Sequence, residues 1–215
     1  MIQIKAFTFN PFMENTYLVY DTETKEGALV DPGCNDQTEQ QELHRFIKAE
    51  NIELKHLLNT HCHIDHVLGN AWAKETFGLP LGIHRADLPI LESNPVTAQH
   101  YGFPLYQHAE ADYFIEEGQM ISIGNSEWKV IWVPGHAPGN VAFYCEKQKA
   151  CLVGDALFRQ SIGRTDLPLG DYDTLISSIR TKLFALPDDT TVYSGHGETT
   201  TVGEEKRTNP FCRLN

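Results

Sequence analysis

Residues 60–67 read Thr-His-Cys-His-Ile-Asp-His-Val, so three histidines and an aspartate fall within six positions. No other stretch constrains the fold as strongly. Neutral imidazole and carboxylate are good donors to borderline cations such as zinc or iron. A polar turn with histidines by chance is the bland alternative. It is disfavoured because ligand-type residues recur at suitable places downstream. His61 and His63 are two apart, so on an extended segment they share one side while Cys62 points to the other. Asp65 and His66 open an expected helix, which folds the chain back and offers a second pair of donors.

Three later segments repeat one pattern. Val130, Ile131 and Val133 lead to Gly135-His136, Leu152 and Val153 lead to Gly154-Asp155, and Val192 and Tyr193 lead to Gly195-His196. Each is a short apolar run closing on a glycine and then a ligand-type residue. A lone histidine so placed is more often a hydrogen-bonded structural residue, but four matching strand ends point to a metal. Loops at strand ends are where layered α/β folds carry binding groups. The seven residues His61, His63, Asp65, His66, His136, Asp155 and His196 exceed the donors of one tetrahedral ion and suit two. Their all-nitrogen-and-oxygen chemistry admits zinc, our first expectation, and also iron or manganese.

With these residues in view, the sequence resembles the metallo-β-lactamase superfamily. Within it the sequence is similar to the short glyoxalase II-like (hydroxyacylglutathione hydrolase-like) hydrolases. The carrying segments are the H-x-H-x-D-H run at 61–66, Pro134–Gly139, Gly154–Asp166 and Ser194–Phe211. The resemblance implies a four-layer αβ/βα sandwich with the site at one rim. It implies that His61, His63 and His136 hold one metal, that Asp65, His66 and His196 hold the second, and that Asp155 bridges them. It further implies hydrolysis of a thioester such as S-lactoylglutathione through attack of a metal-bridged hydroxide on the carbonyl, with Asp65 orienting the nucleophile or taking its proton. A lactone, ester or β-lactam hydrolase on the same centre is the alternative. So is a persulfide-dioxygenase-like enzyme with a single iron.

Two features qualify the substrate. Full-length glyoxalase II enzymes carry a C-terminal helical region that grips glutathione, and the sequence given ends at Asn215, soon after Asn209-Pro210-Phe211. Pro80 and Gly82 stand where the family places a lysine and a tyrosine. The expected pocket residues are Phe12, Ile162, Asn209 and Phe211, with the irregular stretch 93–112 either a lid or a packed excursion. Ser194, Asp31, Thr60 and Asn140 are candidates to orient the imidazoles. Arg164 and Asp166 are expected to pair and brace the loop after Asp155. His84 reads as a packed histidine, and His44 and His56 as surface residues.

A chain of 215 residues fits one domain, 1–215, with a large core. The formal charge of −12 disfavours a nucleic-acid surface. No apolar run approaches the roughly 20 residues of a membrane helix. Met1–Lys5 alternates like a strand rather than a signal peptide, and five cysteines without an even framework suggest a reducing compartment. The expectation is a cytoplasmic enzyme acting on a small molecule, without nucleic-acid or membrane partners; its oligomeric state is left open.

Pattern places strands at 2–9, 15–20, 27–31 and 54–59, several more over 119–155, and one at 191–194. It places helices at 36–50, 65–77, 173–185 and 199–207. This order suggests two similar halves, an α/β layered fold. Because alternation turns Cys62 away from His61 and His63, Cys62→Ala is expected to keep its metal content and most of its turnover. Loss of metal from a folded Cys62→Ala protein would show that the thiol is a ligand.

Overall fold

Alternation along the strands decides the layering. In the computed structural model, which describes residues 1–214, Leu18 and Leu29 turn to one face of a sheet, while Tyr17, Val19, Ala28 and Val30 turn to the other. Both faces are buried, so both strands read as nearly continuous apolar runs rather than as half-polar ones.

The first sheet has the order β1 (Ile2–Phe9), β2 (Glu14–Asp21), β3 (Glu26–Val30), β4 (Glu53–Leu58), β5 (Leu81–His84) and β6 (Tyr113–Ile115). Its first three strands form antiparallel pairs and the next pairings, from β3 to β6, are parallel. The second sheet contains β7 (Met120–Ile123), β8 (Ser126–Trp132), β9 (Val141–Cys145), β10 (Ala150–Gly154), β13 (Thr191–Ser194) and β14 (Thr200–Thr201). Its spatial order is β14-β13-β10-β9-β8-β7, with β13 parallel to β10. Between β10 and β13 the chain makes a small hairpin, β11 (Leu157–Phe158) with β12 (Ser161–Ile162).

Three apolar clusters separate four layers. Tyr17, Val30, Leu58, Trp128, Val130, Phe143 and Leu152 fill the space between the sheets. The outer face of the first sheet is covered by α1 (Gln37–Ala49), α2 (Ile64–Val67), α3 (Asn70–Phe77) and α4 (Leu88–His100), which contribute Leu43, Ile47, Val67, Ala73 and Leu91 to its core. The outer face of the second is covered by α5 (Tyr172–Ser178), a π-helical turn at Ile179–Leu183 and α6 (Val202–Thr208), through Leu175, Ile179, Leu183 and Val202. The expected αβ/βα sandwich is the observed one. No helix among the described residues is long and apolar enough to cross a membrane.

The structure departs from the sequence pattern in two places that matter for the site. The helix expected over 65–77 is two helices, because the Gly69 amide donates to the Pro32 carbonyl, at 2.7 Å, and breaks the run after Val67. The start of the stretch read as irregular from residue 93 belongs to α4, which continues through Pro95 to His100. Helix α1 begins with Asp36 as its N-cap, its carboxylate accepting from the Thr38 and Glu39 amides.

Candidate metal centre

The glycines before the donors have a steric reason. Gly154 lies at φ +57°, and a methyl group there would overlap the Thr60 side chain. A methyl on Gly195 would overlap both the Asp155 carboxylate and the His66 ring. Strands β10 and β13 can bring Asp155 and His196 up to the histidine loop only with bare backbone at these points.

The seven donors meet at one rim. His63 Nδ1 is 2.8 Å from His136 Nε2, which is 3.2 Å from His61 Nε2. His196 Nε2 lies 3.0 Å from Asp65 Oδ2, and His66 Nε2 lies 3.6 Å from the same oxygen. Asp155 stands between the two groups, with Oδ1 3.4 Å from His66 Nε2 and Oδ2 3.6 Å from His136 Nε2 and 3.4 Å from His196 Nε2. In each of the trios His61–His63–His136 and Asp65–His66–His196, one atom per residue lies within 4.8 Å of the others.

Hydrogen bonds behind the rings fix which nitrogen carries the proton. His136 Nδ1 faces the Arg164 carbonyl at 2.8 Å, and His196 Nδ1 faces the Phe12 and Met13 carbonyls at 3.1 and 3.2 Å. Carbonyls only accept, so both Nδ1 atoms donate. His66 Nδ1 faces Asp31 Oδ2 at 3.2 Å. Thr60 donates its hydroxyl to Asp31 at 2.6 Å, so at 3.1 Å it accepts from His61 Nδ1. In their neutral form all four rings therefore turn an Nε2 lone pair inward. Lone pairs 3.2 Å apart with no proton between them repel unless a cation sits among them. Buried His66 Nε2 and Asp155 Oδ1 likewise have no hydrogen-bond partner among the described residues. The donors fit divalent metal.

Electrostatics separates the two groups. Burial, reinforced by the neighbouring rings, holds His61 well below its ordinary pKa and takes His63 down to about 3, so both stay neutral donors. Burial also lowers His136. In the second group burial opposes charge, but Asp155 and Asp65 overcome it and raise His196 to about 10. The same two carboxylates raise His66 against its burial. A field that favours a proton on those rings also favours a bound cation.

Of the residues expected to orient the imidazoles, Asp31 and Thr60 contact them. Asn140 instead directs its amide to the Val153 carbonyl at 3.2 Å, and Ser194 gives its hydroxyl to the Leu157 carbonyl at 2.6 Å. Both brace strand backbone rather than a ring. Cys62 is fully buried away from the centre. Arg164 and Asp166 form the expected pair, with two contacts of 2.7 Å. His84 stacks on Trp132. His44 is exposed, and half-buried His56 reaches the Ser122 carbonyl at 2.9 Å.

A cavity of about 930 Å³ opens over the donors, with His63, Asp65, His136, Asp155 and His196 at its floor. Phe12 and Ile162 line it as expected. Asn209 and Phe211 do not. Asn209 is fully buried and donates to the Ser161 carbonyl at 3.0 Å and to Glu205 at 2.7 Å, so it supports the hairpin that carries Ile162. Phe211 is displayed at the surface. Gly82 lies beneath the Tyr113 ring, where any side chain would overlap, and Pro80 is exposed.

Several residues that position the centre were not anticipated. Buried Asp87 accepts from the Cys62 amide at 2.7 Å and from the Gly139 amide at 2.6 Å. One carboxylate thus ties the His61–His63 loop to the His136 loop. The turn between β1 and β2 and the start of β2 serve the other group. Asn10 donates to the Asp65 carbonyl at 3.0 Å, and Asn15 donates to the Ser194 and Gly197 carbonyls at 3.1 and 3.0 Å. Fully buried Glu14 lies 3.8 Å from His66 Nδ1, and burial raises its pKa well above the usual carboxylate range.

Residues 9–196 match the family model of the metallo-beta-lactamase superfamily. The chain belongs to the metallo-beta-lactamase superfamily. A curated relative, "Hydroxyacylglutathione hydrolase GloC" of Haemophilus influenzae, is 40% identical over 212 residues, 98% of each chain. Among solved structures, the BLEG-1 B3 metallo-beta-lactamase superposes with a TM-score of 0.89 at 34% identity, covering 98% of this chain and 99% of that one. TTHA1623 in a di-iron-bound form gives 0.85 at 38% identity, covering 96% and 99%. As a superfamily member with a glyoxalase II-like relative and a candidate His/Asp centre, the chain is a metal-dependent hydrolase. Because Asp87 holds both loops of the first trio, Asp87→Asn is expected to fold but to release metal about 10–100-fold more readily to a chelator. Wild-type retention in that variant would show that the loops need no such tie.

Proposed function

We propose that the chain is a dinuclear thioester hydrolase of the glyoxalase II type. The carrying observation is the inward set of fixed lone pairs and carboxylates at the floor of an open cavity. The thioester is supported by the hydroxyacylglutathione hydrolase relative. His61, His63 and His136 would hold one ion, Asp65, His66 and His196 the other, and Asp155 both. Two divalent ions in such a cradle lower the pKa of a bound water and polarise a carbonyl oxygen.

The protein's own groups do the rest. His61 and His66 lie behind the floor and are shielded, while Asp65 faces the cavity. Its carboxylate can orient the attacking water and take its proton as the oxygen bonds to the carbonyl carbon. The carbon–sulfur bond then breaks, and the proton passes to the departing thiolate. No side-chain nucleophile is required. Cys62 is buried, and burial pushes its thiol pKa well up.

A β-lactam amide is a second reading, favoured by the likeness to BLEG-1. Metal-replete protein is expected to bind two ions, and Asp155→Ala to lose far more activity than Arg164→Ala. One ion per chain, or equal losses, would overturn the dinuclear assignment. The cavity offers glutathione one guanidinium, Arg164, already paired with Asp166. S-lactoylglutathione is therefore expected to be hydrolysed with a high KM, and the same acyl group on a truncated thiol nearly as well. A preference for glutathione above about 100-fold in kcat/KM would reveal a dedicated glutathione site. Hydrolysis of β-lactams with inert thioesters would select the second reading.

A further inference from the structure

The cavity is much larger than a lactoyl group requires. At about 930 Å³ it lies near the top of the range of roughly 300–1,000 Å³ that accommodates drug-sized ligands. Above the donors its walls are Ile64, Ile90, Val96, Phe158, Ile162 and Leu167.

Ser93, Asn94, Thr97 and Arg164 in those walls are turned to other partners, and the remaining polar residues, His100, Tyr101 and Ser161, stand at the C-terminal end of α4 and on the β11–β12 hairpin. Ser93 donates its hydroxyl to the Ile90 carbonyl at 2.8 Å, and Thr97 donates to the Ser93 carbonyl at 3.2 Å, both within α4. Asn94 donates its amide to the Cys62 carbonyl at 2.9 Å. Arg164 is held by both oxygens of Asp166. A substrate lying along α4 between Ile90 and Val96 therefore meets hydrocarbon, with its reactive carbonyl directed to a polar floor. Apolar walls with few free polar groups recognise an apolar chain, because burying it gains the hydrophobic term without leaving polar atoms unpaired.

We infer that the preferred substrate is a thioester of an extended apolar acyl chain, the carbonyl at the Asp65–Asp155 floor and the chain lying along α4. This rests on the thioesterase reading and adds the class of acyl group. Val96 lies midway along α4 and is 74% exposed, so a polar residue there changes the wall without disturbing the core.

The test uses the metal-loaded full chain and a series of acetyl, butyryl, hexanoyl and octanoyl thioesters of N-acetylcysteamine, a small neutral thiol. Each added methylene is expected to raise kcat/KM about two- to four-fold until the chamber is filled, the upper value corresponding to full burial. In Val96→Asp the octanoyl-to-acetyl ratio is expected to fall by about tenfold, with circular dichroism confirming the fold. A flat or falling series, with the acetyl thioester readily hydrolysed, would overturn the chain assignment and leave the thioesterase reading standing. An unchanged ratio in Val96→Asp would also overturn it, since the chain would not lie on α4. Failure to hydrolyse any thioester, with both ions bound, would instead overturn the thioesterase reading.

Discussion

The centre is organised around the buried carboxylate of Asp31, at the end of β3. It accepts from the Thr60 amide at 2.7 Å and the Thr60 hydroxyl at 2.6 Å, and it faces His66 Nδ1 at 3.2 Å. Through Thr60 it also reaches His61. One side chain thus sets the proton positions of a ring in each trio and leaves both Nε2 lone pairs facing inward. Asp31 adopts φ +51°, a left-handed conformation that aspartate tolerates better than most residues. The parallel pairing of β3 with β4 brings this carboxylate beside Thr60, so the sheet and the histidine loop specify one another.

The two trios are supported differently. The first has three imidazoles kept neutral by burial, and Asp87 joins the loops that carry them. The second mixes carboxylate and imidazole, and its loops are fastened by Asn10, on the turn between β1 and β2, and by Asn15, at the start of β2. Asp155 lies close to rings of both groups because β10 ends between them.

The layers and the convergence of the seven donors were legible in the sequence, since both rest on short-range patterns. The apolar runs of β2 and β3, the two-residue spacing of His61 and His63, and a glycine before each later donor are local signals with steric causes. Asp87, Asn10 and Asn15 left no such signal. Their partners are backbone groups up to 182 residues away, and a backbone group has no sequence identity. For the same reason Asn140 and Ser194 were misplaced, each being satisfied by a strand carbonyl. Asn209 and Phe211 were assigned to the pocket by motif, whereas Asn209 is consumed by Ser161 and Glu205. Pro95 and a polar surface hid α4, whose first turn precedes the proline and is held by packing of Ile90 and Leu91.

The turn at residues 10–13 has two duties at once. Phe12 forms part of the cavity rim, edge-on to Tyr101, while its own carbonyl and that of Met13 hold the His196 ring. Reshaping that rim therefore disturbs a donor. In the middle of α4, Asn94 shares this double duty, lining the cavity while it holds the Cys62 carbonyl, whereas the exposed Val96 carries no such tie. Diversification of this scaffold toward new ligands is thus mechanically lopsided. Phe12 and Asn94 are anchored to the chemistry and resist change, whereas a position such as Val96 can drift while the reactive floor stays intact.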